Sequence, residues 1–111
     1  MSFKKISVIG LGYIGLPTAA MFASKKVSVL GIDVDISVID TINKGDIHIV
    51  EPYLDSLVHQ VVNEGYLSAA MIPEPADAFL ITVPTPFIKS TNPIPEPDLS
   101  YIKSAIQLIA P

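Results

Sequence analysis

Three glycines and one carboxylate have the types and the spacing to hold phosphate and ribose. Gly10, Gly12 and Gly15 stand in the run Gly10-Leu11-Gly12-Tyr13-Ile14-Gly15, and Asp33 follows Gly15 by eighteen positions. Where a chain leaves a strand and at once enters a helix, the unpaired N–H groups of the first helical turn face outward. The helix dipole adds partial positive charge at the same place. Gly10 lets the chain turn where a Cβ would clash. Gly12 lets the backbone approach a pyrophosphate, and Gly15 lets the helix pack closely on the strand. Asp33 lies near the usual spacing for a carboxylate that accepts hydrogen bonds from the hydroxyls of an adenosine ribose. The chemistry implied is the grip of a dinucleotide.

These residues work only if the chain around them is strand, turn, helix, strand. The apolar run at Lys5–Ile9 predicts the first strand, Ile14–Ser24 a helix with Pro17 in its first turns, and Val27–Ile32 the second strand, which ends on Asp33. A glycine turn with no ligand also produces GxGxxG, and an adenosyl-binding methyltransferase also shows a glycine-rich first turn followed by an acid. The strict spacing and the immediate helix favour the dinucleotide.

Further along, Asp35 is placed to cap a second helix running to Asn43, with Ile36, Ile39 and Ile42 at helical spacing and Val38 beside them. A connecting loop at Asp46–Pro52 leads to a third helix over Pro52–Glu64, stopped by Gly65. Leu67–Met71 suggests a short edge strand, and Ala78–Val83 a buried one. Pro84–Pro97, with five of the ten prolines, is read as one long loop, and Asp98 as the cap of a final helix over Leu99–Ala110. The expected fold is α/β: a Rossmann-like doubly wound parallel sheet with about four strands in the order 3-2-1-4.

The composition agrees with a buried parallel sheet. Half of the 111 residues are hydrophobic and the mean hydropathy is +0.51. A net charge of −4 and a pI of about 4.8, with no basic patch, argue against nucleic acid as a partner. Absence of cysteine removes disulfides, thiolate metal sites and a cysteine nucleophile. Lys4 and Lys5 before the uncharged run from Ile6 to Ser24 superficially resemble a secretory signal. That run is broken by Gly10, Gly12, Gly15 and Pro17, so a cytoplasmic protein without a membrane span is expected. His48 and His59 lack an evident carboxylate partner. No metal site or catalytic residue is assigned within the chain.

The motifs carry a resemblance. GLGYIGLP, then GID, then Ile47-His48-Ile49-Val50-Glu51-Pro52 with Val83-Pro84-Thr85-Pro86 and Asp98-Leu99-Ser100-Tyr101 resemble the UDP-glucose/GDP-mannose dehydrogenase family of nucleotide-sugar dehydrogenases, and do so over essentially all 111 residues. Within the family the chain looks most like the branch acting on UDP-N-acetylmannosamine. The resemblance implies NAD as cofactor and a two-step oxidation of a sugar C6 alcohol to a carboxylate. It implies cofactor contacts at Tyr13, Ile14, Asp33 and Thr85, beside the glycines. It also implies that residues 1–111 are the N-terminal NAD-binding domain of a longer enzyme. The nucleotide-sugar substrate would then be bound through a domain not contained here, as would the family's catalytic cysteine and its lysine and asparagine helpers. The sequence departs from the family where members often carry a basic residue after the acid; here it reads Val34-Asp35-Ile36-Ser37-Val38. An open edge beside strand four suggests association with another copy, a homo-oligomer. A free-standing module that senses NAD or an adenine nucleotide is the alternative.

Overall fold

The computed structural model describes residues 4–83, together with 87–88, 96–97, 103 and 106–107. Its centre is β1 (Lys5–Ile9), flanked by β2 (Ser28–Ile32) on one side and β4 (Ala78–Ile81) on the other, with β3 (Leu67–Ala70) outside β2. All pairings in this sheet are parallel and the order is β3-β2-β1-β4, as the sequence predicts. Ile9 registers with Ile32 and with Ile81, so β1, β2 and β4 end at one level.

Three helices supply the crossovers: α1 (Gly15–Ser24) between β1 and β2, and α2 (Ile36–Asn43) and α3 (Leu54–Asn63) between β2 and β3. One apolar cluster joins them to the sheet. Leu16, Ala19, Ala20 and Ala23 of α1 are buried with Ile6, Val8 and Val29 beneath them. The small alanines let α1 lie close to the strands. Ile9, Leu30 and Ile32 form a second cluster, and strand alternation puts their side chains on the opposite face.

The second helix contains Ile36, Ile39 and Ile42 as expected; Ile39 and Ile42 carry the packing, while Ile36, which opens α2 beside the cap, is exposed at 57%. Several expectations need correction. The third helix begins at Leu54 and not at Pro52, because Tyr53 sits in the left-handed region at φ +65° and breaks the helical path. Strand four is not buried. Ala78, Phe79 and Leu80 are half-buried and Ile81 is exposed, since among the described residues no strand pairs with its outer side. Within the stretch expected to be one loop, β5 (Phe87–Ile88) and β6 (Glu96–Pro97) pair as an antiparallel ribbon. The expected last helix falls largely outside the described residues, of which 103, 106 and 107 are helical.

One side chain covers a sheet edge, and another joins the starts of two neighbouring strands. The Asn43 amide, at the end of α2, donates to Ala69 O at 2.9 Å and accepts from Ala69 N at 2.8 Å, so a side chain stands where a fifth strand would pair with β3. At the other end of the sheet, Asp77 Oδ2 accepts from the N–H of Lys4 at 2.8 Å and of Lys5 at 2.9 Å, tying the start of β1 to the start of β4.

The Lys5 and Lys4 N–H bonds hold the Asp77 carboxyl below its ordinary value of 3.8. A carboxylate depressed in the folded state contributes stability that is present above its unfolded pKa and is lost as pH falls through the folded one. The urea midpoint of the wild type should therefore fall as pH drops below 3.8, and Asp77→Asn should flatten that limb while changing little at neutral pH. Parallel acid limbs for the two proteins would show that the bonds contribute nothing.

Candidate functional site

The site is built at the carboxyl ends of β1, β2 and β4. Gly10 leaves β1 at φ +96°, and its N–H donates to Ile32 O at 2.7 Å, so the turn remains joined to β2. A Cβ at Gly10 would lie 2.9 Å from Thr82 O. A Cβ at Gly15 would fall inside the Gly10 carbonyl. Gly12 differs: a Cβ there would meet nothing within 4 Å, and the residue is exposed. Gly10 and Gly15 are therefore required by the fold, whereas Gly12 keeps open space above the loop.

Leu11 anchors the loop from below. It is 1% exposed, and a Cβ at Gly31 would lie 2.7 Å from its Cδ2. Gly31, in the middle of β2, is thus the hollow into which Leu11 drops. The glycine-turn motif does not include it, although it opens the GID run; the physical signal is a glycine inside an otherwise apolar strand.

Tyr13 and Ile14 stand at the start of α1 with exposed side chains. Among the described residues, the N–H groups of Gly12, Tyr13, Ile14 and Gly15 have no backbone partner, and α1 has neither a side-chain cap nor an acid in its first turn. Among the described residues, no side chain of that turn competes with an anion for the donors or brings a carboxylate to it. This row of donors, open above Gly12, fits the pyrophosphate of a dinucleotide.

Asp33 closes the site on the β2 side. Its Oδ2 accepts from Leu11 N at 3.0 Å and its Oδ1 from Asp35 N at 3.0 Å. Asp35 in turn caps α2, accepting from Ser37 N at 2.9 Å and Ser37 Oγ at 2.7 Å. The Ser37 hydroxyl and N–H hold the Asp35 carboxyl below its ordinary range. The two aspartates therefore do separate work: Asp33 ties β2 to the glycine loop, and Asp35 starts the next helix.

Thr82, just past β4, was not marked by any motif. Its Oγ1 donates to Gly10 O at 2.7 Å and lies 3.1 Å from Ile9 O. Thr85 lies outside the described residues. His59 is exposed on α3 and hydrogen-bonded to the Asn63 amide at 3.0 Å, and His48 is exposed in the loop before α3. Among the described residues no three metal-ligating side chains gather, and no helix is long and apolar enough to cross a membrane.

A parallel sheet in this order, with a glycine turn into α1 and an acid ending β2, defines a dinucleotide-binding α/β domain. Residues 4–111 match the model of the UDP-glucose/GDP-mannose dehydrogenase family, NAD binding domain, and the chain belongs to that family. It is 62% identical over 108 residues to the UDP-N-acetyl-D-mannosamine dehydrogenase of Campylobacter jejuni, covering 97% of this chain and 26% of that protein. It is 57% identical over 111 residues to the NDP-N-acetyl-D-galactosaminuronic acid dehydrogenase of Ralstonia nicotianae, covering 100% of this chain and 25% of the relative. Among solved structures, the UDP-N-acetyl-mannosamine dehydrogenase of Staphylococcus aureus superposes with a TM-score of 0.89 at 41% identity, over 95% of this chain and 25% of that one. The chain thus spans about a quarter of the length of the relatives it matches.

Proposed function

We infer that this chain is the cofactor-holding part of an NAD-dependent nucleotide-sugar dehydrogenase that oxidises the C6 alcohol of UDP-N-acetylmannosamine to the carboxylate. The observation that carries the substrate is the 62% identity to a UDP-N-acetyl-D-mannosamine dehydrogenase across nearly all of the chain. The donor row above Gly12 supports the cofactor. In this reading the pyrophosphate rests over Gly12 and accepts from the N–H groups of Tyr13 and Ile14, with Gly10 and Gly15 shaping the turn. Asp33 receives the adenosine ribose hydroxyls on the lone pairs left free by Leu11 and Asp35. Thr85 joins the contacts on the strength of its family motif. NAD, when bound, supplies the hydride acceptor; these residues hold and orient it. The sugar is bound by chain outside these residues, and the outer edge of β4 takes a neighbouring strand from further chain or from a second copy. A cytoplasmic location, with neither nucleic acid nor membrane as partner, belongs to the same reading.

Carrying an alcohol to an acid requires a base for the alcohol proton and a group that holds the aldehyde for the second hydride transfer. The chain contains no cysteine to form such an adduct. Its lysines at 25, 26 and 44 are exposed to solvent. The expected result is therefore split. Calorimetric titration shows saturable binding of NAD, while the same sample with UDP-N-acetylmannosamine gives no rise at the NADH absorbance band. No heat with NAD would overturn the reading of the site. Turnover that survives repurification would place the chemistry within these 111 residues.

A further inference from the structure

One peptide unit in the site is held from both sides. The Gly10–Leu11 peptide presents its oxygen to Thr82 Oγ1, 2.7 Å away, and its N–H to Asp33 Oδ2, 3.0 Å away. The first partner comes from the end of β4 and the second from the end of β2, so the strands on either side of β1 grip the same plane. Thr82 is itself well placed to act as a fixed point. Its N–H donates to Ile9 O at 2.8 Å, and its hydroxyl stands where a Gly15 Cβ would come within 2.5 Å. A single hydroxyl thus meets both the turn and the first residue of α1.

We propose that Thr82 is a positioning residue for the dinucleotide, whose hydroxyl fixes the rotation of the Gly10–Leu11 peptide without touching the ligand. That rotation sets where the following N–H groups point, because Gly12, Tyr13 and Ile14 continue directly from it. With the peptide clamped on both sides, the loop's conformational entropy is lost on folding and not on binding. With Asp33 alone, the plane is held on one side only, and the carbonyl is left without its donor. The inference rests on the reading that this loop holds the pyrophosphate.

The test uses the full chain and NAD in a calorimetric titration of wild type, Thr82→Val and Thr82→Ser. Valine keeps the branched shape and removes the hydroxyl; serine restores the hydroxyl. The expected result is binding weakened roughly tenfold in Thr82→Val, a loss of about 1.4 kcal/mol. Thr82→Ser should return to within about twofold of wild type, since a single good hydrogen bond accounts for the difference. Amide exchange at Leu11 should quicken in the valine variant and recover in the serine one. If Thr82→Val does not fold, Thr82→Ala is judged by the same criteria. Unchanged affinity in the hydroxyl-free variant overturns the proposal, as does a serine variant as weak as valine, or a change in melting temperature with no change in affinity. A wild-type chain that fails to bind NAD overturns the proposed function itself, and is thereby distinguished from a failure of Thr82 alone.

Discussion

NADP should bind at least about a hundredfold more weakly than NAD. The extra phosphate of NADP sits on the adenosine ribose, where Asp33 is proposed to lie. Two like charges at about 4 Å cost on the order of 4 kcal/mol at an effective dielectric of 20, which solvent around a half-buried group reduces. A discount of about one third still leaves roughly two orders of magnitude. Enzymes that accept the phosphate commonly place an arginine near it. Here the residues after the acid are Val34, Asp35 and Ile36, and all seven cationic side chains of the sequence are lysines. Asp33→Asn is the informative variant. It keeps an oxygen for the Leu11 N–H and removes the charge, so the gap between the two cofactors should narrow while NAD binding persists. Equal affinities in the wild type, or an unchanged preference in Asp33→Asn, would contradict the placement of the ribose.

A single added side chain should have opposite consequences at two glycines of the same motif. Gly12→Val should fold as the wild type does and lose NAD affinity by about a hundredfold or more. Its Cβ meets nothing in the protein, and Gly12 is not among the residues with positive φ, so the cost falls on whatever occupies the space above the loop. Gly15→Ala adds only one methyl group, but that methyl would lie inside the Gly10 carbonyl and beside Thr82 Oγ1. Neither neighbour is the free end of a flexible chain, so α1 must shift off the sheet, at a cost of about 3 kcal/mol or more. Circular dichroism with urea unfolding reads the fold, and titration with NAD reads the binding. A Gly12→Val protein that binds normally would place the phosphates elsewhere, and a fully stable Gly15→Ala would contradict the close packing of helix on turn.

The glycine spacing and Asp33 were legible because each acts within a few residues of itself or at a fixed distance along a βαβ unit. The strand order was legible for a related reason: right-handed crossovers leave few ways to arrange apolar strands. Thr82 and Asn43 were not legible. Each bonds to backbone far along the chain, 72 residues away for Thr82 and 26 for Asn43, and a threonine or asparagine at those positions carries no mark of its target. Gly31 was visible as a glycine, but nothing in the sequence says that Leu11 fills the space above it. Helical periodicity places Ile36 in α2 but cannot say that the first residue of the helix has not yet reached the core. The apolar run of strand four predicts burial, whereas its exposure depends on a neighbour that periodicity cannot reveal.

The Asn43 amide on Ala69 gives the sheet a polarity of growth. On the β3 side, a strand arriving from elsewhere finds the Ala69 pair already taken and would have to displace the end of α2 to reach it. On the β4 side, among the described residues, no such plug exists. The sheet is therefore a template that reads in one direction. Among the described residues, strands competing for the same platform therefore meet one landing place, the outer side of β4.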